Sequence, residues 1–148
     1  MKILIVVDSF LPQKKAAAIM MYELAVEFVK NNDTVYVITP GDDLQSAIVY
    51  ENYENINIIR VSAGKIKDTA KIIRAWNESR LSSIIWRKAK LFFQENKCDL
   101  VIAYSPTIFF GKLLNNIKKK WQCKVYLIIR DIFPQWAVDA KLLNKNLV

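Results

Sequence analysis

The sequence predicts an α/β fold, an open parallel sheet with helices packed on both of its faces. Three observations predict it. Short apolar, β-branched runs alternate with longer stretches of helical period, the order that yields strand, crossover and parallel strand with right-handed connections. Ile3 to Val7 is an unbroken apolar run, as a strand buried on both faces requires, and Asp8 ends it abruptly. The 148 residues suit one domain, which at that size buries roughly 68–70% of the surface its unfolded chain exposes. With the first strand central, the expected strand order is 3-2-1-4-5. Ligands of such sheets bind beyond the carboxyl ends of the strands, where strand order reverses. Asp8, Ser9 and Phe10 are therefore expected at the mouth of any site.

After the first strand, Phe10 to Lys15 reads as a loop and Ala16 to Lys30 as a helix, with Ala17, Met21, Leu24, Ala25 and Phe28 on its apolar face. Asn31-Asn32-Asp33 stops it, because Asn tolerates the left-handed cap conformation better than any residue but Gly. Thr34 to Thr39 is the second strand, closed by Pro40-Gly41, and Asp42 to Asn55 has too weak a pattern for more than a helical turn. Ile56 to Val61 is the third strand, and Ser62 to Asp68 a loop. Thr69 to Asn96 reads as helix, either continuous or broken near Asn77-Glu78-Ser79, with Leu81, Ile84, Ile85, Lys88, Leu91 and Phe92 on one face of its second part. Trp86, Ala89 and Phe93 form a second stripe that core packing does not require. Asp99 to Ala103 is the fourth strand. Ser105 suits an N-cap and Pro106 a first helical position, so a helix is expected to about Trp121, buried along Phe110, Leu113, Leu114, Ile117 and Trp121. Lys124 to Arg130 is the fifth strand.

Composition excludes several chemistries. With no histidine and only Cys98 and Cys123, neither a common zinc site nor a Ser-His-Asp or Cys-His pair can be assembled, so no metal or other cofactor is expected. Gly41, Gly64 and Gly111 are the only glycines, which rules out the phosphate-binding P-loop and the glycine-rich dinucleotide fingerprint. Asp8 lacks the acidic neighbour that a receiver domain carries, and the third strand ends in Arg60-Val61-Ser62 rather than Asp. No apolar run approaches the ~18 residues of a membrane span, and Ile3 to Val7 is shorter than a signal-peptide core. A cytoplasmic location and free thiols are the expectation. Both cysteines precede a strand, which places them at one sheet edge if the fourth and fifth strands adjoin.

The net charge of +8 is uneven. Between Arg60 and Lys90 nine basic residues face only Asp68 and Glu78, a face suited to an anionic membrane, a phosphorylated substrate or nucleic acid, or else to solvent alone. Two stretches at strand ends carry more specific chemistry. In Tyr104-Ser105-Pro106-Thr107-Ile108-Phe109-Phe110-Gly111 a helix N-terminus follows the fourth strand, and the amides of Thr107, Ile108 and Phe109 suit an anion. In Arg130-Asp131-Ile132-Phe133-Pro134-Gln135-Trp136 a charged pair precedes aromatics at the end of the fifth.

Met1 to Thr39, with Asp8-Ser9-Phe10-Leu11-Pro12 and Met21-Tyr22-Glu23-Leu24-Ala25, resembles the amino-terminal, Rossmann-like half of the GT-B glycosyltransferases of family 4. The two strand-end stretches, the second continuing through Ala137-Val138-Asp139, resemble a narrower group, the bacterial transferases for N-acetyl-L-fucosamine and similar amino sugars in O-antigen and capsule assembly. The resemblance implies a nucleotide-sugar transferase that retains anomeric configuration. Its amino-terminal domain holds the acceptor, commonly a lipid-diphosphate-linked sugar, at the inner membrane face, while a second domain or subunit holds the donor. Three departures stand out: Lys15-Ala16-Ala17 replaces a Gly-Gly loop, Lys141 replaces Gly, and the His near the fourth strand is absent.

The acceptor site is expected at Asp8, Ser9, Tyr104, Ser105, Thr107, Arg130 and Asp131, where the first, fourth and fifth strands end side by side. A phosphate suits the helix N-terminus and Arg130, and sugar hydroxyls suit Asp8 and Asp131. Arg130 and Asp131 could instead only pair with each other. Trp86, Arg87, Lys90 and Phe93 are expected to touch an anionic inner-membrane surface, in preference to nucleic acid. The competing reading is a stand-alone binding or remnant protein at the membrane surface without catalytic activity.

Overall fold

The computed structural model describes residues 1–41, 44–63, 71–105 and 110–129, with backbone only at 71–79 and at 105. The elements follow in the order β1 (Lys2–Val6), α1 (Ala16–Lys30), β2 (Thr34–Gly41), β3 (Ile48–Tyr53), β4 (Ile56–Ser62), α2 (Lys71–Lys88), α3 (Lys90–Glu95), β5 (Leu100–Ser105), α4 (Gly111–Trp121) and β6 (Lys124–Ile129). Among the described residues they build one sheet of order β3-β4-β2-β1-β5-β6, parallel throughout except where β3 runs antiparallel to β4.

β1 is central, between β2 and β5, and Ile3 to Val7 are all but inaccessible, as its continuous apolar run requires. Strand alternation sends its side chains to two cores. Ile3, Ile5 and Val7 pack with Val35, Val37, Ile58 and Ile102 under Met21 and Ala25 of α1. Leu4 and Val6 pack on the other face with Ile59 and Val101 of the neighbouring strands and with Leu81, Ile85, Phe92, Phe93, Leu113, Ile117 and Trp121, which come from α2, α3 and α4. The five strands foreseen in the sequence take the expected order. α1 ends as its Asn-Asn-Asp sequence suggests, with Asn32 left-handed (φ 60°) and the Asp33 and Asn32 amides donating back to the carbonyls of Phe28 and Val29.

Two expectations are corrected. The stretch before the third strand is not irregular, since Ile48–Tyr53 forms an antiparallel edge strand joined to β4 by Glu54 and Asn55, both at positive φ (50° and 64°). That is the backbone of a two-residue hairpin turn, here without glycine. Helix α2 runs unbroken through 77–79 and breaks at Ala89 instead (φ −84°, ψ 21°). The buried stripe of Leu81, Ile85, Ala89, Phe92 and Phe93 keeps its helical spacing across the break, where Ala89 N donates to the Ile85 carbonyl and Phe93 N to the Ala89 carbonyl, while Leu91, expected inside, is 66% exposed. α4 buries the expected stripe, with Leu114 half-buried at its margin. Its foreseen start at Pro106 lies outside the described residues. No helix among the described residues is long and apolar enough to cross a membrane.

Cys98 and Cys123 are free, buried, and sit just before β5 and β6 at the same sheet edge, where Leu100 pairs with Lys124. Burial pushes the Cys98 thiol up to about 12 and the Cys123 thiol up as well. An unfolded chain sheds the Cys98 proton near pH 9.0, whereas the folded chain keeps it until about 12. The stability this represents is fully present below pH 9.0 and is lost as pH rises through that window. Urea midpoints measured against pH should therefore fall more steeply above pH 9.0 for the native chain than for Cys98→Ala; parallel curves would contradict the assignment.

Candidate functional site

The carboxyl ends of β1, β5 and β6 lie side by side, Val6 opposite Ala103 and Ser105 opposite Ile129. Asp8 follows β1 there and is half-buried. Ser9 is 2% exposed, and its hydroxyl donates to Gln13 Oε1 at 2.6 Å, inside a loop that Gln13 N closes onto the Phe10 carbonyl. Tyr104 is 1% exposed and shares the α1-side core with Ile102, the face that strand alternation assigns to both. Ser9 and Tyr104 are thus loop and core residues. Ser105 is the last residue of β5. Thr107, Arg130 and Asp131, with the anion site at the amides of Thr107, Ile108 and Phe109, lie outside the described residues.

The sequence did not disclose the pocket beside this mouth. Leu11, Pro12, Glu51, Tyr53, Ile58 and Arg60 line a cavity of about 330 Å³ between the loop after β1 and the β3–β4 hairpin. The hairpin register builds it. Glu51 lies opposite Ile58, Tyr53 opposite Ile56 and Val49 opposite Arg60, and alternation puts Glu51, Tyr53, Ile58 and Arg60 on one face. The Arg60 side chain, 12% exposed, donates from Nε to both Glu51 carboxylate oxygens at 3.0 Å and from Nη2 to the Leu11 carbonyl. One guanidinium therefore ties hairpin to loop. Tyr22 of α1 meets Phe10 edge-on (6.5 Å between ring centroids) and leans on Tyr53 (6.1 Å). Its hydroxyl donates to Glu54 Oε2 at 2.5 Å, a bond that pushes the phenol up to about 12. An aromatic and aliphatic wall facing a guanidinium–carboxylate pair suits a polyhydroxylated ligand, whose C–H faces pack on rings while its hydroxyls meet charged partners.

No known protein family matches the sequence, and no curated protein does. Solved structures match the fold. The catalytic domain of starch synthase IV from Arabidopsis thaliana, bound to ADP and acarbose, superposes with a TM-score of 0.65 over 88% of this chain at 10% identity. The fold is Rossmann-like and matches part of a GT-B glycosyltransferase. The chain spans 34% of that structure. The carboxy-terminal domain of a hydrogenase from Pyrococcus furiosus superposes with a TM-score of 0.54 at 13% identity, over 85% of this chain and 89% of its own. Since a transferase and a hydrogenase fragment share this architecture, function has to be argued from the site.

The stripe expected to be surplus is not surplus. Ala89 and Phe93 are 0% and 1% exposed, and the Trp121 indole donates to the Phe93 carbonyl at 2.9 Å. Trp86 is half-buried and stacked on Phe93, with centroids 5.0 Å apart and planes at 25°. Phe93 is therefore part of the packed core beneath the Trp86 ring. Trp86, Arg87, Lys90, Phe93, Gln94 and Lys120 instead line a second cavity of about 290 Å³.

Proposed function

We propose that this chain is the acceptor-binding domain of a glycosyltransferase, with the pocket between the β1 loop and the β3–β4 hairpin receiving a sugar of the acceptor. The observation that carries this reading is the pairing of Tyr53, Leu11 and Pro12 with the Arg60–Glu51 pair, beside the carboxyl end of the central strand. The GT-B-like fold is compatible with it. The resemblance described above adds the finer terms: a family 4 enzyme that moves an amino sugar from a nucleotide sugar to a lipid-diphosphate-linked glycan in O-antigen or capsule assembly. In this reading Arg130 meets the lipid diphosphate, and Asp8 and Asp131 meet sugar hydroxyls.

Donor and acceptor in such an enzyme are held in line by two domains, a positioning contribution that reaches about 7–11 kcal/mol, so the 148 residues alone bind acceptor and transfer nothing. Isothermal titration with a short-chain lipid-diphosphate sugar tests this. Tyr53 is 49% exposed, so Tyr53→Ala should weaken binding about tenfold, the loss of roughly 1.4 kcal/mol of ring contact, with little change in melting temperature. Equal affinity in both proteins would remove the acceptor from this pocket, and sugar transfer by the isolated chain would refute the half-enzyme reading.

A further inference from the structure

We infer that the cavity formed by Trp86, Arg87, Lys90, Phe93, Gln94 and Lys120 receives the phosphate-bearing head group of an anionic lipid. This does not rest on the glycosyltransferase reading. The cavity lies on the helical layer, away from the mouth of the sheet. α3 and α4 lead into β5 and β6, so Phe93, Gln94 and Lys120 stand toward the amino ends of the strands, about a strand length, roughly 20 Å, from the carboxyl-end loops.

Its chemistry selects an anion. Arg87, Lys90 and Lys120 contribute three cations, none of the six lining residues is acidic, and Gln94 adds an amide donor. The floor is apolar, the Trp86 ring lying on buried Phe93. A lone phosphate needs no such floor, whereas a head group leaving a bilayer brings apolar atoms with its charge. The surroundings favour a surface as the source of that group. Leu91, which follows Lys90, is 66% exposed, and Lys118 and Lys119, both exposed in the last turn of α4, add positive charge beside Lys120. An exposed leucine among lysines gains both from burial and from attraction to anionic lipid. A concave pocket stands where the sequence suggested an exposed stripe, with lining residues from α2, α3 and the end of α4.

Vesicle flotation in low salt tests the proposal. The chain should float with phosphatidylcholine vesicles that contain phosphatidylglycerol and not with phosphatidylcholine alone. Arg87→Gln, Lys90→Gln and Lys120→Gln should each weaken binding about fivefold without lowering the melting temperature. Lys14→Gln and Lys30→Gln, exposed charges outside the pocket, should leave it unchanged. Equal losses in all five variants would reduce the interaction to net charge and overturn the pocket. Inorganic phosphate provides the second arm, read as the fluorescence change that Trp86→Phe abolishes. A response to phosphate without vesicle binding would make the occupant a soluble anion and overturn the lipid assignment, and silence in both arms would overturn the site.

Discussion

Trp121→Ala should destabilise the domain by about 3–5 kcal/mol, a large part of the 5–15 kcal/mol available to a domain of this size. Trp121 is 2% exposed and lies within 6.3 Å of Phe92 and 5.7 Å of Phe93, ring centroid to centroid, in the core between the sheet and the helices. Truncation would remove the largest ring of that cluster. It would also leave the Phe93 carbonyl without the indole that it accepts from. Trp121→Phe separates the two effects, since most of the volume is kept and the hydrogen bond is lost, so it should cost only about 1–3 kcal/mol. Urea unfolding gives both values. Near-equal stability of Trp121→Ala and the native chain would mean that α4 is not anchored as described. Because Phe93 also floors the cation-rimmed cavity, Trp121→Ala should in addition weaken vesicle binding, whereas the surface variants affect binding alone.

Arg60→Met carries the second large effect, on stability and on ligand together. Its bond to the Leu11 carbonyl is charge-assisted and made by a side chain only 12% exposed, so losing it should cost about 1.5–3 kcal/mol. The ion pair contributes less, since Glu51 is 42% exposed and such pairs contribute up to about 1 kcal/mol. Glu51→Gln should accordingly lower stability by under about 1 kcal/mol while still weakening saccharide binding, because it removes a carboxylate that accepts from sugar hydroxyls. The two variants thus divide architecture from recognition. Melting curves and titrations on the same samples make the comparison, and an Arg60→Met protein native in both would show that the β1 loop and the hairpin hold together without it.

Parts of this structure were legible because single residues carry their signal. The run Ile3 to Val7 needs burial on both faces, and only a central strand offers that. Asn32 takes the left-handed cap that its short side chain tolerates, and the α4 stripe from Phe110 to Trp121 keeps its helical spacing throughout. β3 was not legible, since its residues from Tyr50 to Tyr53 are exposed and a turn of Glu54-Asn55 lacks the glycine that marks such hairpins. A sharper reading had one clue. A two-residue turn before Ile56 sets Glu51 and Arg60 on one face of the hairpin.

Sequence by itself determined the class of fold, the order of five parallel strands, the two-sided core and the absence of histidine and glycine-loop chemistry. Periodicity and residue type are local properties, and local properties suffice for these. Tertiary structure alone decided that Trp86 stacks on Phe93 and that the end of α4 meets them, where Trp121 donates to the Phe93 carbonyl and a cation-rimmed hollow forms. It alone brought Arg60 to Glu51 and to the carbonyl of Leu11, 49 residues away in the chain. Those outcomes depend on how two helices meet and on the register of one hairpin, and both are set by packing against elements distant in sequence.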